Sequence, residues 1–175
     1  MNICSKYRKG FTLAELLIVV AIISVLIGIA IPVLTGSLDR SKRAVDIANA
    51  RNIRSALTNT LISGDISIQP DDAAIGVKVT AKGATPGVYR GTDAIRINTV
   101  GKAVTAGNGK KATSVLRETL KSSGLNAVTC KQADIDWYLV LVYSDGSSYY
   151  WEGKGSGYSN SKRYSWDELH TSKGK

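Results

Sequence analysis

KGFTLAELL, residues 9–17, places one glycine, one phenylalanine and one carboxylate at the mouth of a long apolar run. Phe11 is the only phenylalanine in the chain, and residues 16–34 beyond it hold 19 positions without a formal charge. That is close to the ~20 residues a helix uses to cross a bilayer. Glu15 stands just ahead of the run, where an ionisable side chain needs a physical reason to be kept.

The chain has 175 residues and a formal charge of +9. With roughly a third of it in an amino-terminal helix, the remainder suits one modest globular domain. Lys6, Arg8 and Lys9 precede the apolar run, so a cut after Gly10 removes three cations and leaves +6. Cys4 and Cys130 lie on opposite sides of the apolar segment. A bond between them would join two compartments, which excludes a disulfide framework. Past residue 70 glycine and serine are plentiful, and the composition is that of a globular domain rich in turns, without internal repeats.

Three readings of the apolar segment compete. A secretory signal has 7–15 apolar residues followed by small residues at its cleavage site. Gly28 and Ala30 offer such residues, but the run continues through Val33 and Leu34. A permanent anchor explains the length, yet gives no reason for Gly10-Phe11 or for Glu15. Acidic residues at mid-membrane cost ~2.5–3.5 kcal/mol, and less near the edge. The third reading is processing at the front edge of the run.

Gly10-Phe11-Thr12-Leu13-Ala14-Glu15-Leu16, after a short basic leader and before a run broken by Pro32, resembles the amino terminus of a type IV prepilin with a class III signal peptide. The resemblance covers about residues 6–60 and is architectural beyond them. It implies that a membrane aspartyl peptidase cuts after Gly10 and methylates the new amine of Phe11. Glycine suits that position because it lets the chain enter a protease cleft extended and close to the backbone. The resemblance also implies that Phe11, Glu15 and Pro32 serve assembly. Glu15 then pairs with the Phe11 ammonium of a neighbouring subunit, since a paired charge in apolar surroundings costs far less than an isolated one. The alternative is an exposed carboxylate favoured by the macrodipole at a helix amino terminus.

The fold class expected is α+β, a long helix packed on an antiparallel sheet. Its parts are a leader (1–10), a hydrophobic transmembrane and filament-core helix (11–36), an amphipathic continuation (37–63) and a β-rich head (64–175). The function implied is a structural, non-enzymatic pilus subunit. Its partners are further copies in a helical filament, the prepilin peptidase and methylase, the pilus assembly machinery and, before assembly, the membrane. The alternatives are a minor pilin, a secretion-system pseudopilin, or a monomeric membrane-anchored binding module. The expected location is the cell membrane with the head outside, then the extracellular pilus. The count of basic residues leaves orientation open, since Arg40, Lys42, Arg43 and Arg51 follow the span. Host surface and biofilm matrix are candidate targets of the fibre. Nucleic acid is disfavoured because the basic stretch 39–54 has no interleaved aromatics.

Within 37–63 there is neither proline nor glycine, and Ile47, Ala50, Ile53, Leu57 and Leu61 share one face. Gly64 is placed to cap the helix, while Pro32 is expected to kink it. Strands are expected at 74–80, 87–90 and 94–100, a short helix at 111–123, and a hairpin of 136–143 with 148–152 around Asp145-Gly146. One sheet face should pack on the helix and the other face solvent. Nine of the twelve aromatic residues fall between Trp137 and Trp166. Most are expected in packing, with a subset facing out as an adhesive surface. The stretch 153–163 reads as an exposed, mobile loop in which Tyr158, Lys162 and Arg163 form the candidate binding site.

Neither a cofactor nor a metal is implied. Asp134, Asp136, Asp145, Glu152, Asp167 and Glu168 lack the spacing of a calcium loop, and His170 has no catalytic context. After processing only Cys130 remains, whereas Gram-negative relatives close their carboxy-terminal region with a disulfide. That departure suits major pilins of the Gram-positive, clostridial type, with Cys130 as a buried small residue.

Overall fold

A computed structural model describes residues 10–69, 73–90, 96–97, 104–106, 111–158 and 160–171. The leader up to Lys9, Cys4 included, lies outside them, as does most of the strand expected at 94–100. The chain divides into two compact units, Met1–Leu38 and Asp39–Lys175.

Helix α1, Leu13–Ile62, begins in the first unit and is continuous through Pro32. Its start is set by a reciprocal pair of bonds. The Thr12 amide donates to Glu15 Oε2 at 2.9 Å, and the Glu15 amide donates to Thr12 Oγ1 at 3.3 Å. This is a capping box, in which a hydroxyl residue and a glutamate three positions on satisfy each other's orphan amides. Every described residue of this unit is exposed, and α1 is long and apolar enough to cross a membrane.

The second unit carries the core. Strands β1 (Ile66–Ile68), β2 (Ala73–Thr80), β3 (Gly83–Arg90), β4 (Arg96–Ile97) and β5 (Val104–Ala106) precede helix α2 (Ala112–Ser122). Strands β6 (Trp137–Tyr143), β7 (Ser148–Gly153) and β8 (Lys162–Tyr164) and helix α3 (Trp166–Thr171) complete it. Antiparallel pairings join six strands in the order β4-β3-β2-β6-β7-β8, and β1 pairs with β5. The arrangement is α+β.

Local chemistry fixes the connections. Gly64 and Gly124 take positive φ after α1 and α2, and the Leu125 amide returns to the Leu120 carbonyl at 2.8 Å, closing α2 with a Schellman turn. Asp145-Gly146 turns β6 into β7, with Gly146 at φ 82° and the Asp145 carboxylate accepting the Ser147 amide at 2.8 Å. One sheet face, with Ile75, Val77, Val79, Val140 and Val142, packs against Ala50, Ile53 and Leu57 of α1 and Leu116 and Leu120 of α2.

The opposite face departs from the expectation of a solvated surface. Trp137, Leu139, Leu141, Tyr143, Trp151 and Tyr89 are buried there in a second apolar cluster. Rings lie over glycines: a Cβ on Gly87 would stand 2.9 Å from the Tyr89 ring, and one on Gly153 would meet Trp137 at 2.5 Å. Tyr158 then packs edge-on against Trp137, with centroids 5.1 Å apart. The glycines leave room for large rings to lie down on the sheet, so the rings shed water without a second layer of secondary structure.

Gly76 sits where this face is most crowded, since a Cβ there would collide with Leu141 and come within 2.7 Å of the Val140 carbonyl oxygen. Gly76→Ala is therefore expected to destabilise the head by about 1–3 kcal/mol through overpacking, read as a lower midpoint in thermal unfolding followed by tryptophan fluorescence.

Candidate functional site

The candidate processing site is fully presented. Gly10 is exposed and Phe11 is 92% exposed at the start of α1. Glu15 accepts from both the amide and the hydroxyl of Thr12, each at 2.9 Å and each through Oε2. The carboxylate thus already terminates its own helix, a role written in Thr12-x-x-Glu15 that the sequence reading passed over. Leu13, Leu16, Leu17 and Val20 leave an apolar flank beside it exposed.

Tyr158, Lys162 and Arg163 do not come together as a free loop. Tyr158 is half-buried, contacting Tyr89 and Trp137, and its backbone neighbourhood is pinned at several points. The Gly155 amide donates to Asp136 Oδ2 at 2.6 Å, and Lys78 Nζ donates to the Ser156 carbonyl at 3.2 Å. The Lys78 ammonium also stands 4.5 Å from the ring centroids of both Trp137 and Tyr158, and burial lowers its pKa. Lys162 and Arg163 belong to β8, where Arg163 lies 5.1 Å over Tyr149. Residues 154–157 keep the exposure expected of the stretch.

A third constellation joins α1 to the last third of the chain. Asp46 is fully buried on the core face of α1. Its carboxylate accepts from the Lys131 amide at 2.9 Å, the Gln132 amide at 3.0 Å, Gln132 Nε2 at 3.3 Å and Cys130 Sγ at 3.6 Å. Charge-assisted bonds to backbone amides are among the stronger protein hydrogen bonds, and they offset the desolvation of the carboxylate. The Cys130 amide is itself tied to the Thr80 carbonyl at 3.0 Å, so the loop is held from the sheet as well. Nearby, the Tyr164 hydroxyl donates to Glu152 Oε1 at 2.8 Å, and the Arg54 guanidinium stacks 5.0 Å from the Trp166 ring. Cys130 is half-buried and free. Burial, reinforced by the Asp46 charge, pushes its thiol up to about 12.

The scattered acidic residues mostly serve local bonds. Asp136, Asp145 and Glu168 accept backbone amides at Gly155, Ser147 and Ser165, and Ser165-x-x-Glu168 repeats the capping box at α3. Among the described residues no group of three or more His, Cys, Asp or Glu side chains is gathered as a metal set.

Residues 5–31 match the family model of the prokaryotic N-terminal methylation motif. The chain carries a prokaryotic N-terminal methylation motif. Two curated relatives, both fimbrial proteins of Dichelobacter nodosus, are 39% identical to it over 70 residues, which is 40% of this chain and 44% of theirs. The chain thus spans less than half the length of these relatives. No solved structure matches. The matched segment includes Gly10, Phe11 and Glu15 and the first turns of the helix that starts at the capping box.

Asp46→Ala strands two backbone donors of the 131–132 loop, and is expected to cost about 2–4 kcal/mol of head stability by chemical denaturation. A pH effect follows from Cys130. In the unfolded chain the thiol ionises near its ordinary value of 9, whereas in the folded chain it keeps its proton to about 12. The unfolded state therefore binds fewer protons between these values, and stability falls as pH rises through that window. Cys130→Ala should flatten the decline, and the native thiol should resist iodoacetamide at pH 8 until the protein is denatured.

Proposed function

We propose that the chain is a structural subunit of a type IV pilus, cut after Gly10, N-methylated at Phe11 and polymerised through its amino-terminal helix into surface filaments for adhesion, motility or aggregation. The observation that carries this reading is the match of residues 5–31 to the methylation motif at the start of a helix whose apolar side chains from Leu13 to Leu38 all stand exposed. A soluble monomer does not keep such a surface in water, so the segment requires lipid or further copies of itself. Both environments are met in turn when a membrane-held subunit enters a fibre.

The capping box adds a geometric reason for Glu15. Both bonds from Thr12 fall on Oε2, so Oε1 is the oxygen offered to the Phe11 ammonium of a neighbour while the cap stays intact. An ammonium and a carboxylate that meet in an apolar fibre core neutralise each other. The partners of this reading are further copies of the chain, a prepilin peptidase and methylase, and the assembly machinery. The head lies outside the cell membrane before assembly and on the extracellular pilus after it. The likeness to Gram-positive, clostridial major pilins rests on the single cysteine outside the leader.

Shearing surface filaments from cells and sequencing them by mass spectrometry is expected to yield an abundant peptide beginning with N-methylated Phe11. Filaments lacking the chain, with intact protein retained in the membrane, would favour a monomeric anchored module. Glu15→Val is expected to reduce filament yield in electron micrographs at least tenfold while leaving cleavage after Gly10 in place.

A further inference from the structure

Beside the Asp46 carboxylate, four oxygens are buried without a protein hydrogen-bond partner: Gln132 Oε1, Tyr138 OH, Tyr150 OH and Glu152 Oε2. Their side chains are deep in the head, with Tyr138 fully buried, Tyr150 1% exposed, Glu152 8% and Gln132 9%. They also belong together. Tyr138 stacks on Tyr150 at 5.6 Å, and Tyr138 pairs with Glu152 across β6 and β7. Gln132 bonds Asp46 through its amide nitrogen, which turns its carbonyl oxygen to other partners. Burial is the main reason the pKa of the Tyr150 hydroxyl is raised, Glu152, Tyr138 and Asp46 push it the same way, and the nearby Gln132 side chain opposes them, which places these groups around one hydroxyl.

Buried polar groups are almost always satisfied, and an unmade bond costs more than a made one contributes. The four oxygens include two phenolic hydroxyls that can donate and two acceptors, which is the mixed set that a small species with both donors and acceptors completes. A cation would find acceptors but leave the hydroxyl protons unused. We propose that this cluster is an internal hydration site, in which ordered water bridges the Tyr150 and Tyr138 hydroxyls to Gln132 Oε1 and Glu152 Oε2. The bridge links the Asp46 clasp on α1 to strand β7. The head is then dry along Ala50, Ile53 and Leu57 of α1 but wet one turn earlier, where that helix enters it.

The sign of a single substitution tests the proposal in the full-length protein in detergent micelles, followed by tryptophan fluorescence. If water completes the Tyr150 hydroxyl, Tyr150→Phe removes a made bond and lowers the unfolding midpoint by about 2–8 °C, with Tyr138→Phe acting in the same direction. If the site is dry, removing an unpaired hydroxyl leaves the midpoint unchanged or raises it, which overturns the proposal. Replacing sodium by choline at fixed ionic strength should leave the midpoint unchanged, and a shift would assign the site to a cation instead. Long-lived water cross-peaks to the Gln132 side-chain amide in nuclear magnetic resonance are the direct signature; their absence counts against water even if Tyr150→Phe destabilises.

Discussion

A carboxylate removed from water must be given donors, and Asp46 is where this head meets that requirement. Nothing on its own helix supplies them, because the amides of a helix interior are already committed to carbonyls four residues back. The donors come from residues 130–132, more than eighty positions along the chain. Burying Asp46 therefore obliges the segment between α2 and β6 to pass against α1, and the start of β6 is fixed where that segment ends. The central sheet pairing of β6 with β2 then falls in a register that the Cys130 amide, bonded to the Thr80 carbonyl, reinforces from the other side. One side chain in this way couples the helix to the carboxy-terminal half of the sheet.

This coupling does the work that a covalent link would otherwise do. Cys130 has no disulfide partner among the described residues, and its thiol is turned to the Asp46 carboxylate, which opposes ionisation. The end of the chain is instead fastened at separate points: the 130–132 loop at Asp46, β8 through Tyr164 and Glu152, and α3 through Trp166 over Arg54 and Leu169 in the core. A disulfide would act largely by restricting the unfolded chain. These contacts act only in the folded state, and several rest on buried polar groups, so this end of the head depends on protonation and packing rather than on redox state.

How much of this was legible depends on which physical signal each element carries. The helix, the Asp145-Gly146 hairpin and the glycine stop at Gly64 rest on local chemistry, and they lie within a residue or two of where spacing places them. The buried stripe of α1 overlaps the expected one in part. Ala50, Ile53 and Leu57 are buried, but Ile47 is only half-buried, and the face is completed by Asp46, Ala56 and Thr60. A hydrophobic ranking turns a carboxylate outward, and no window around Asp46 contains the amides that reverse the decision. The second apolar face was hidden for a related reason. Gly76, Gly87 and Gly153 look like weak strand residues one at a time, and they become a bed for Tyr89 and Trp137 only after the strands are paired. Thr12-x-x-Glu15 is different, because a capping box is legible in the local sequence alone.

The cap on Glu15, beside its proposed role in assembly, also bears on why the motif has the form it has. A carboxylate at the start of an apolar helix is disfavoured in lipid unless something holds it. Thr12 does so with two bonds to one oxygen, and the same bonds satisfy an amide that the first turn would otherwise leave open. Cleavage after Gly10 would convert the Phe11 amide, two residues before the helix, into an ammonium without disturbing either bond. The residue that starts the helix is thus compatible with the proposed role of receiving a neighbour's charge, because the two tasks would draw on different oxygens. A shorter side chain at 15 would lose the reach to Thr12, and a neutral isostere would keep the cap and lose the charge. Glutamate three positions after a threonine satisfies both conditions, so the demands of the single helix and those of the proposed fibre select the same residue.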